Sequence, residues 1–192
     1  MNKNPLIMVV GKSACGKSTL VERACKELGL KAIPSYTTRK PRFEGEEGHT
    51  FITNDEYDCL ENKVAENTFC GNRYCVTAEQ ADDPQYSLYV VDCAGIKAFK
   101  ENYQGNRDVY TIQIACDEKI RVERLKHRYS KVCENETEML RMVIDRLVSD
   151  SEEFKDIDDI TTYYIDNSFS VDSSYDKFKK LIMTFIGEDK DV

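Results

Sequence analysis

At 192 residues, with 41% hydrophobic and 32% charged side chains, the chain has the material for one domain with a sizeable core and excludes a disordered or fibrous class. Lysine and arginine number 27 against 35 acids, a net charge of −8. That balance excludes a general nucleic-acid binder, so any anion must be held by a local basic cluster. No apolar run approaches the roughly 20 residues that span a bilayer. Leu6 to Val10 is too short for a signal sequence, and the expected location is the cytoplasm, away from membranes.

In chain order, Leu6 to Val10 reads as a buried strand and Lys17 to Leu28 as a helix with Leu20, Val21, Ala24 and Leu28 on one side, stopped at Gly29. A polar stretch from Ser35 to Asn54 carries no core signal. Short strand-like pieces follow at Phe51 to Thr53 and Asn67 to Val76. Leu88 to Val91 is a second buried strand, and Ile96 to Phe99 begins a helix. Val109 to Ala115 is a third core strand, followed by a helix from Asp117 to Arg128. Met139 to Phe154 reads as an amphipathic helix with Leu140, Val143, Ile144 and Leu147 on its apolar stripe. Thr162 to Ile165 is a last strand and Tyr175 to Ile186 a last helix. Strands alternating with helices predict an α/β fold whose parallel sheet is covered on both faces.

Between the first strand and its helix stands Gly11-Lys12-Ser13-Ala14-Cys15-Gly16-Lys17-Ser18, followed by Thr19. It fits G-x-x-x-x-G-K-[ST], a loop whose glycines let backbone amides curl around phosphate oxygens at a positive helix end. All nine residues are expected to bind ATP. Lys17 reaches the β- and γ-phosphates, and Ser18 ligates Mg²⁺. Asp92, ending an apolar strand, has two readings: a metal-holding acid or a cap on the next helix. Eight cysteines without a C-x-x-C pair, beside two histidines, predict free thiols rather than a zinc site. Cys15 alone lies in the loop, as a small inert side chain or as a reactive thiol.

Arg39, Lys40 and Arg42 cluster in a proline-bearing segment, and two guanidinium forks suit a terminal phosphate. Arg121, Arg124 and Arg128 recur at i, i+3 and i+7 and so share a helix face. That stripe is either solvated surface or a second phosphate contact.

The run Ser35-Tyr36-Thr37-Thr38-Arg39-Lys40-Pro41-Arg42, placed after the phosphate loop, resembles the guanylate kinase family pattern S-x-T-T-R-x-P-R. The likeness continues through Glu44-Gly45-Glu46-Glu47-Gly48, Phe69-x-Gly71-Asn72-x-Tyr74, Asp92-Cys93-Ala94-Gly95, Arg124-Leu125-x-x-Arg128 and Arg146-Leu147. It implies a three-layer P-loop NTPase core (1–34 and 85–192), a small mixed acceptor-binding insertion (35–84) and a helical lid at about 126–141. It implies phosphoryl transfer from ATP to GMP with Mg²⁺, by a monomer or homodimer. Lys17, Arg39, Arg42, Arg124, Arg128 and Arg146 would be catalytic. Ser35, Arg39, Arg42, Tyr74 and Asp92 would meet the acceptor, and Ser18 with Asp92 the metal.

The chain departs from the family pattern in several places: it is about two residues shorter between Arg42 and Phe51, and Cys75-Val76-Thr77 follows Tyr74 where a Gly-Thr or Gly-Ser is expected. His49 stands where an acceptor-phosphate tyrosine is expected, and Ala65 where a base-reading glutamate is expected. Glu66, next door, and Thr77 are the remaining candidates for the base. Another phosphorylated acceptor, a non-catalytic binding module and a hydrolytic NTPase are the alternatives.

Overall fold

The structure, a computed structural model, describes residues 4–41, 43–69 and 71–187. Four parallel strands form the central sheet in the order β6-β1-β7-β8: β1 (Leu6–Val10), β6 (Leu88–Val90), β7 (Val109–Ala115) and β8 (Tyr163–Asp166). Both neighbours of β1 are parallel to it, with Ile7 opposite Leu88 on one side and Tyr110 on the other. All five β1 residues are buried, as a strand covered on both faces requires.

Alternation along β1 divides the core. Ile7 and Val9 pack with Leu20, Val21 and Ala24 of α1 (Lys17–Leu28) and with Tyr175, Phe178 and Ile182 of α8 (Val171–Ile186). Leu6, Met8 and Val10 pack on the opposite face with Ile96 and Phe99 of α4 (Cys93–Asn102) and Ile157 of α7 (Ile157–Ile160). Each such aliphatic contributes about 1.5–3 kcal/mol of burial. This is the three-layer α/β arrangement of a P-loop protein.

A second sheet, in the order β3-β2-β5-β4, lies within 35–84: β2 (Ser35–Thr37), β3 (His49–Phe51), β4 (Asn67–Phe69) and β5 (Asn72–Cys75). It is mixed, since β2 runs parallel to β3 and antiparallel to β5. Two short helices, α2 (Asn54–Asp58) and α3 (Ala78–Asp82), complete this part. β2 sits inside the stretch that reads as coreless, and Ser35 and Thr37 are buried there. They are polar residues on a covered face, which a hydrophobic pattern does not reveal.

Arg107, just before β7, fastens the end of this insertion to the core. Its buried guanidinium donates to the carbonyls of Asn4, Pro5, Ala81, Asp83 and Tyr86. No carboxylate is among those acceptors, and desolvation holds its pKa below the usual arginine value.

Beyond β7, α5 (Glu118–Tyr129) and α6 (Glu136–Glu153) are antiparallel neighbours joined by a short turn. The expected apolar stripe of α6 is only half right. Val143 is buried, whereas Leu140, Ile144 and Val148 are exposed. The inward face carries Arg146, Asp150 and Glu153 instead, at i, i+4 and i+7, because it borders the phosphate loop. Among the described residues, no helix is long and apolar enough to cross a membrane.

Candidate active site

The loop between β1 and α1 is shaped by close backbone packing. At Gly11 (φ +153°) a Cβ would lie 2.1 Å from the Ile114 carbonyl oxygen. At Gly16 (φ +102°) it would lie 2.2 Å from Asn167 Nδ2. Only glycine fits either place. Gly16 is also the N-cap of α1 and offers no side-chain cap, so the first amides of that helix remain open to an anion.

Three successive carbonyls of the loop are gripped from outside. Ser13 O accepts from Arg121 Nε at 2.9 Å, Ala14 O from Arg124 Nη1 at 3.2 Å and Cys15 O from Asn167 Nδ2 at 2.8 Å. In a trans peptide the N–H points opposite to the C=O. The amides of Ala14, Cys15 and Gly16 therefore turn toward the concave side, although Cys15 N also makes a 3.3 Å turn bond to Lys12 O. Lys17 Nζ folds across the loop and donates to the carbonyls of Gly11 and, at 3.1 Å, Lys12. Cys15 is fully buried against the core. Ser18 and Thr19 are exposed at the start of α1.

Ser13 is held more tightly than its neighbours. Its amide and hydroxyl donate to the two oxygens of Asp150 at 2.9 and 2.8 Å. Asp150 also forms a buried ion pair with Arg121. Arg146 Nε donates to the Ser13 hydroxyl oxygen, and its guanidinium lies 4.1 Å from the Phe69 ring centroid. Arg146 thus spans the phosphate loop and the second sheet. Of the three-arginine stripe, Arg121 and Arg124 reach the loop and Arg128 is exposed near the helix end.

The second sheet gathers Ser35, Arg39, His49 and Tyr74. Ser35 Oγ and His49 Nδ1 are 2.9 Å apart, and the His49 ring lies 5.9 Å edge-on to Tyr74. Arg39 uses Nη1 and Nη2 on the two oxygens of Glu46, at 3.1 and 2.8 Å. Its buried Nε has no partner among the described residues. Arg42 lies outside the described residues.

The base-side candidates are differently placed. Ala65 is buried in the core. Glu66 is exposed, with Tyr57 OH 3.3 Å and Arg73 Nη2 3.7 Å from its Oε1. Thr77 caps α3, accepting from Gln80 N at 3.4 Å.

Asp92 performs the capping role: Oδ1 accepts from Gly95 N at 2.7 Å, while Oδ2 accepts from Asn67 of β4 at 2.7 Å. Near it stands Glu153, whose buried oxygens have no hydrogen-bond partner among the described residues. Burial pushes its carboxyl up to about 8, with Asp92 and Asp150 adding to the rise and Arg146 and Lys17 opposing it. Among the described residues no group of three or more His, Cys, Asp or Glu is arranged to hold a metal. Ser18, exposed at the start of α1, and Asp92 carry hard oxygen donors of the kind Mg²⁺ takes.

Asp150, Glu153 and Asn167 escaped the sequence reading. Asp150 and Glu153 follow Arg146 on one helix face, and that spacing was the available signal. Nothing local marks Asn167.

The comparisons agree with this geometry at two levels. A family model described as "50S ribosome-binding GTPase" matches residues 6–173. A guanylate kinase of Clostridium acetobutylicum is 32% identical over 113 residues, covering 53% of this chain and 53% of that protein. One of Clostridium tetani is 28% identical over 131 residues, covering 62% and 61%. The chain thus aligns with little more than half the length of these curated relatives. The crystal structure of guanylate kinase from Anaplasma phagocytophilum superposes on 100% of this chain and 89% of that one, with a TM-score of 0.66 at 20% identity. That superposition includes the second sheet. The chain therefore belongs to the P-loop family of that GTPase-type model, and it is similar over part of its length to the guanylate kinases named above.

Proposed function

We propose that this protein is an ATP-dependent nucleoside monophosphate kinase that converts ATP and GMP to ADP and GDP. The observation that carries the reading is Arg146, which touches the donor loop at Ser13 and the second sheet at Phe69. A phosphoryl group passing between a donor and an acceptor needs cationic groups at that junction.

In this reading the loop amides, the α1 N-terminus and Lys17 hold the donor phosphates. Lys17 leaves the Gly11 and Lys12 carbonyls to do so. Arg39, Tyr74, His49 and Ser35 receive the acceptor phosphate, together with Arg42. Arg146 and Arg124 neutralise charge on the in-line group. Ser18 and Asp92 would hold Mg²⁺ brought in with ATP, which would supply charge neutralisation on the phosphates. Closure of the insertion and of the 126–141 lid excludes water.

Guanine is the proposed base because the chain is similar to curated guanylate kinases. Glu66 and Thr77 are the candidates for reading it, Glu66 after a local shift away from Arg73. A missing base partner costs heavily in such pockets, so another monophosphate acceptor is the first competitor. The match to a GTPase-type model favours a second reading, hydrolysis of a nucleoside triphosphate. A hydrolase has no use for the Ser35–Arg39–Tyr74 pocket, which supports the kinase. Nucleotide turnover measured with and without monophosphates separates the two: a kinase needs the acceptor, whereas a hydrolase releases inorganic phosphate without it.

A further inference from the structure

Ser13 presents three polar groups, and α5 and α6 hold every one of them. Its amide and hydroxyl donate to Asp150, and its carbonyl accepts from Arg121. Asp150 and Arg121 are 1% and 3% exposed, and each is the other's charge partner. Arg146 adds a bond to the Ser13 hydroxyl and lies 3.7 Å from Asp150 Oδ1. These contacts bind residues 137 positions apart, across the two helices that flank the turn at 130–135.

A buried ion pair is a weak source of stability, since apolar residues of similar volume often replace it at no loss. Its distinctive product here is geometric. Without Asp150 the Ser13 limb could rotate, and the Ala14 amide next to it would turn from the phosphate side. Arg146 would lose Asp150 and the fixed Ser13 hydroxyl beside its Nε. We propose that the Asp150–Arg121 pair is a positioning device: it sets the Ser13 limb of the phosphate loop and, through Ser13, aims Arg146 at the group being transferred. The inference rests on the phosphoryl-transfer reading for its second half and on nucleotide binding alone for its first.

The test uses the full chain carrying R121M/D150L, which removes the pair together, and D150N, which keeps the shape of the side chain. Mg·ADP affinity is measured by calorimetry, and kcat and KM for ATP by GMP-dependent ADP release, with Tm followed throughout. R121M/D150L is expected to fold and to bind Mg·ADP about tenfold or more weakly, a size typical of misplacement by an ångström or less. D150N is expected to lower kcat about tenfold or more while KM for ATP changes less. A folded R121M/D150L with wild-type affinity, or D150N with wild-type kcat, overturns the proposal. If R121M/D150L fails to fold, D150N decides the matter. If the wild type turns over no monophosphate, the kinase reading fails, and Mg·ADP or Mg·GDP affinity still judges the pair. If the wild type binds neither nucleotide, both fall.

Discussion

Arg39 grips Glu46 with both ends of its fork, Nη1 and Nη2 each meeting one carboxylate oxygen, while its buried Nε has no hydrogen-bond partner among the described residues. Burial opposes the charge on Arg39, and Glu46 outweighs it, leaving the guanidinium pKa raised. Glu46 therefore orients Arg39, which in the proposed function meets the acceptor phosphate. E46Q keeps the shape and removes the charge. It is expected to raise KM for GMP about tenfold, the scale of a lost charge-assisted pair. KM for ATP should stay within about twofold. Equal weakening for both substrates would contradict the assignment, and steady-state kinetics in both substrates reads it.

Lys17 rests on the loop's own carbonyls and is the cation best placed to exchange them for phosphate oxygens. K17A should lower kcat by at least about 100-fold, the usual loss of a preorganised charge stabiliser. The circular dichroism spectrum should match the wild type. Surviving turnover would remove the loop from the mechanism.

Gly11 faces the Ile114 carbonyl, which belongs to a central strand and cannot retreat. G11A forces a methyl group into that contact at φ +153°. The expected loss is about 1–3 kcal/mol or more of stability, at roughly 2–4 °C of Tm per kcal/mol. Thermal unfolding measures it, and an unchanged Tm would contradict the packing described.

Glu153 makes stability depend on pH in a direction unusual for a carboxylate. Its folded pKa is raised to about 8, above the ordinary value of 4.5. Between those values the folded protein binds the extra proton, so this group's contribution falls as pH rises from about 4.5 to 8. It is fully unfavourable above that. E153Q, which stays neutral, should raise the apo-protein Tm at pH 8 more than at pH 5. Equal shifts at both pH values would show that Glu153 is not held neutral.

Much of the donor half was legible locally. Leu6 to Val10, the G-x-x-x-x-G-K-S run and Lys17 to Leu28 are consecutive, and both hydrophobic periodicity and loop chemistry act over such spans. The Ser35, Arg39 and Tyr74 grouping came from motif order. The grips on the loop were not legible, because Asp150 and Asn167 lie 137 and 152 positions from their partners. On α6 the apolar count suggested Leu140 and Ile144 as inward. The neighbouring phosphate loop instead demanded Arg146 and Asp150 there, and charge complementarity set the rotation of the helix. β2 hid for a related reason, since Ser35 and Thr37 are buried while polar.

In the proposed function the loop and the second sheet are donor and acceptor halves of one kinase. ADP release from ATP, measured against GMP, dGMP, AMP, CMP, UMP and dTMP, tests it most directly. The expected result is ADP formation with GMP, and with its deoxy form, in clear excess over the other bases. No response to any monophosphate, or phosphate release from ATP or GTP that ignores them, would contradict it.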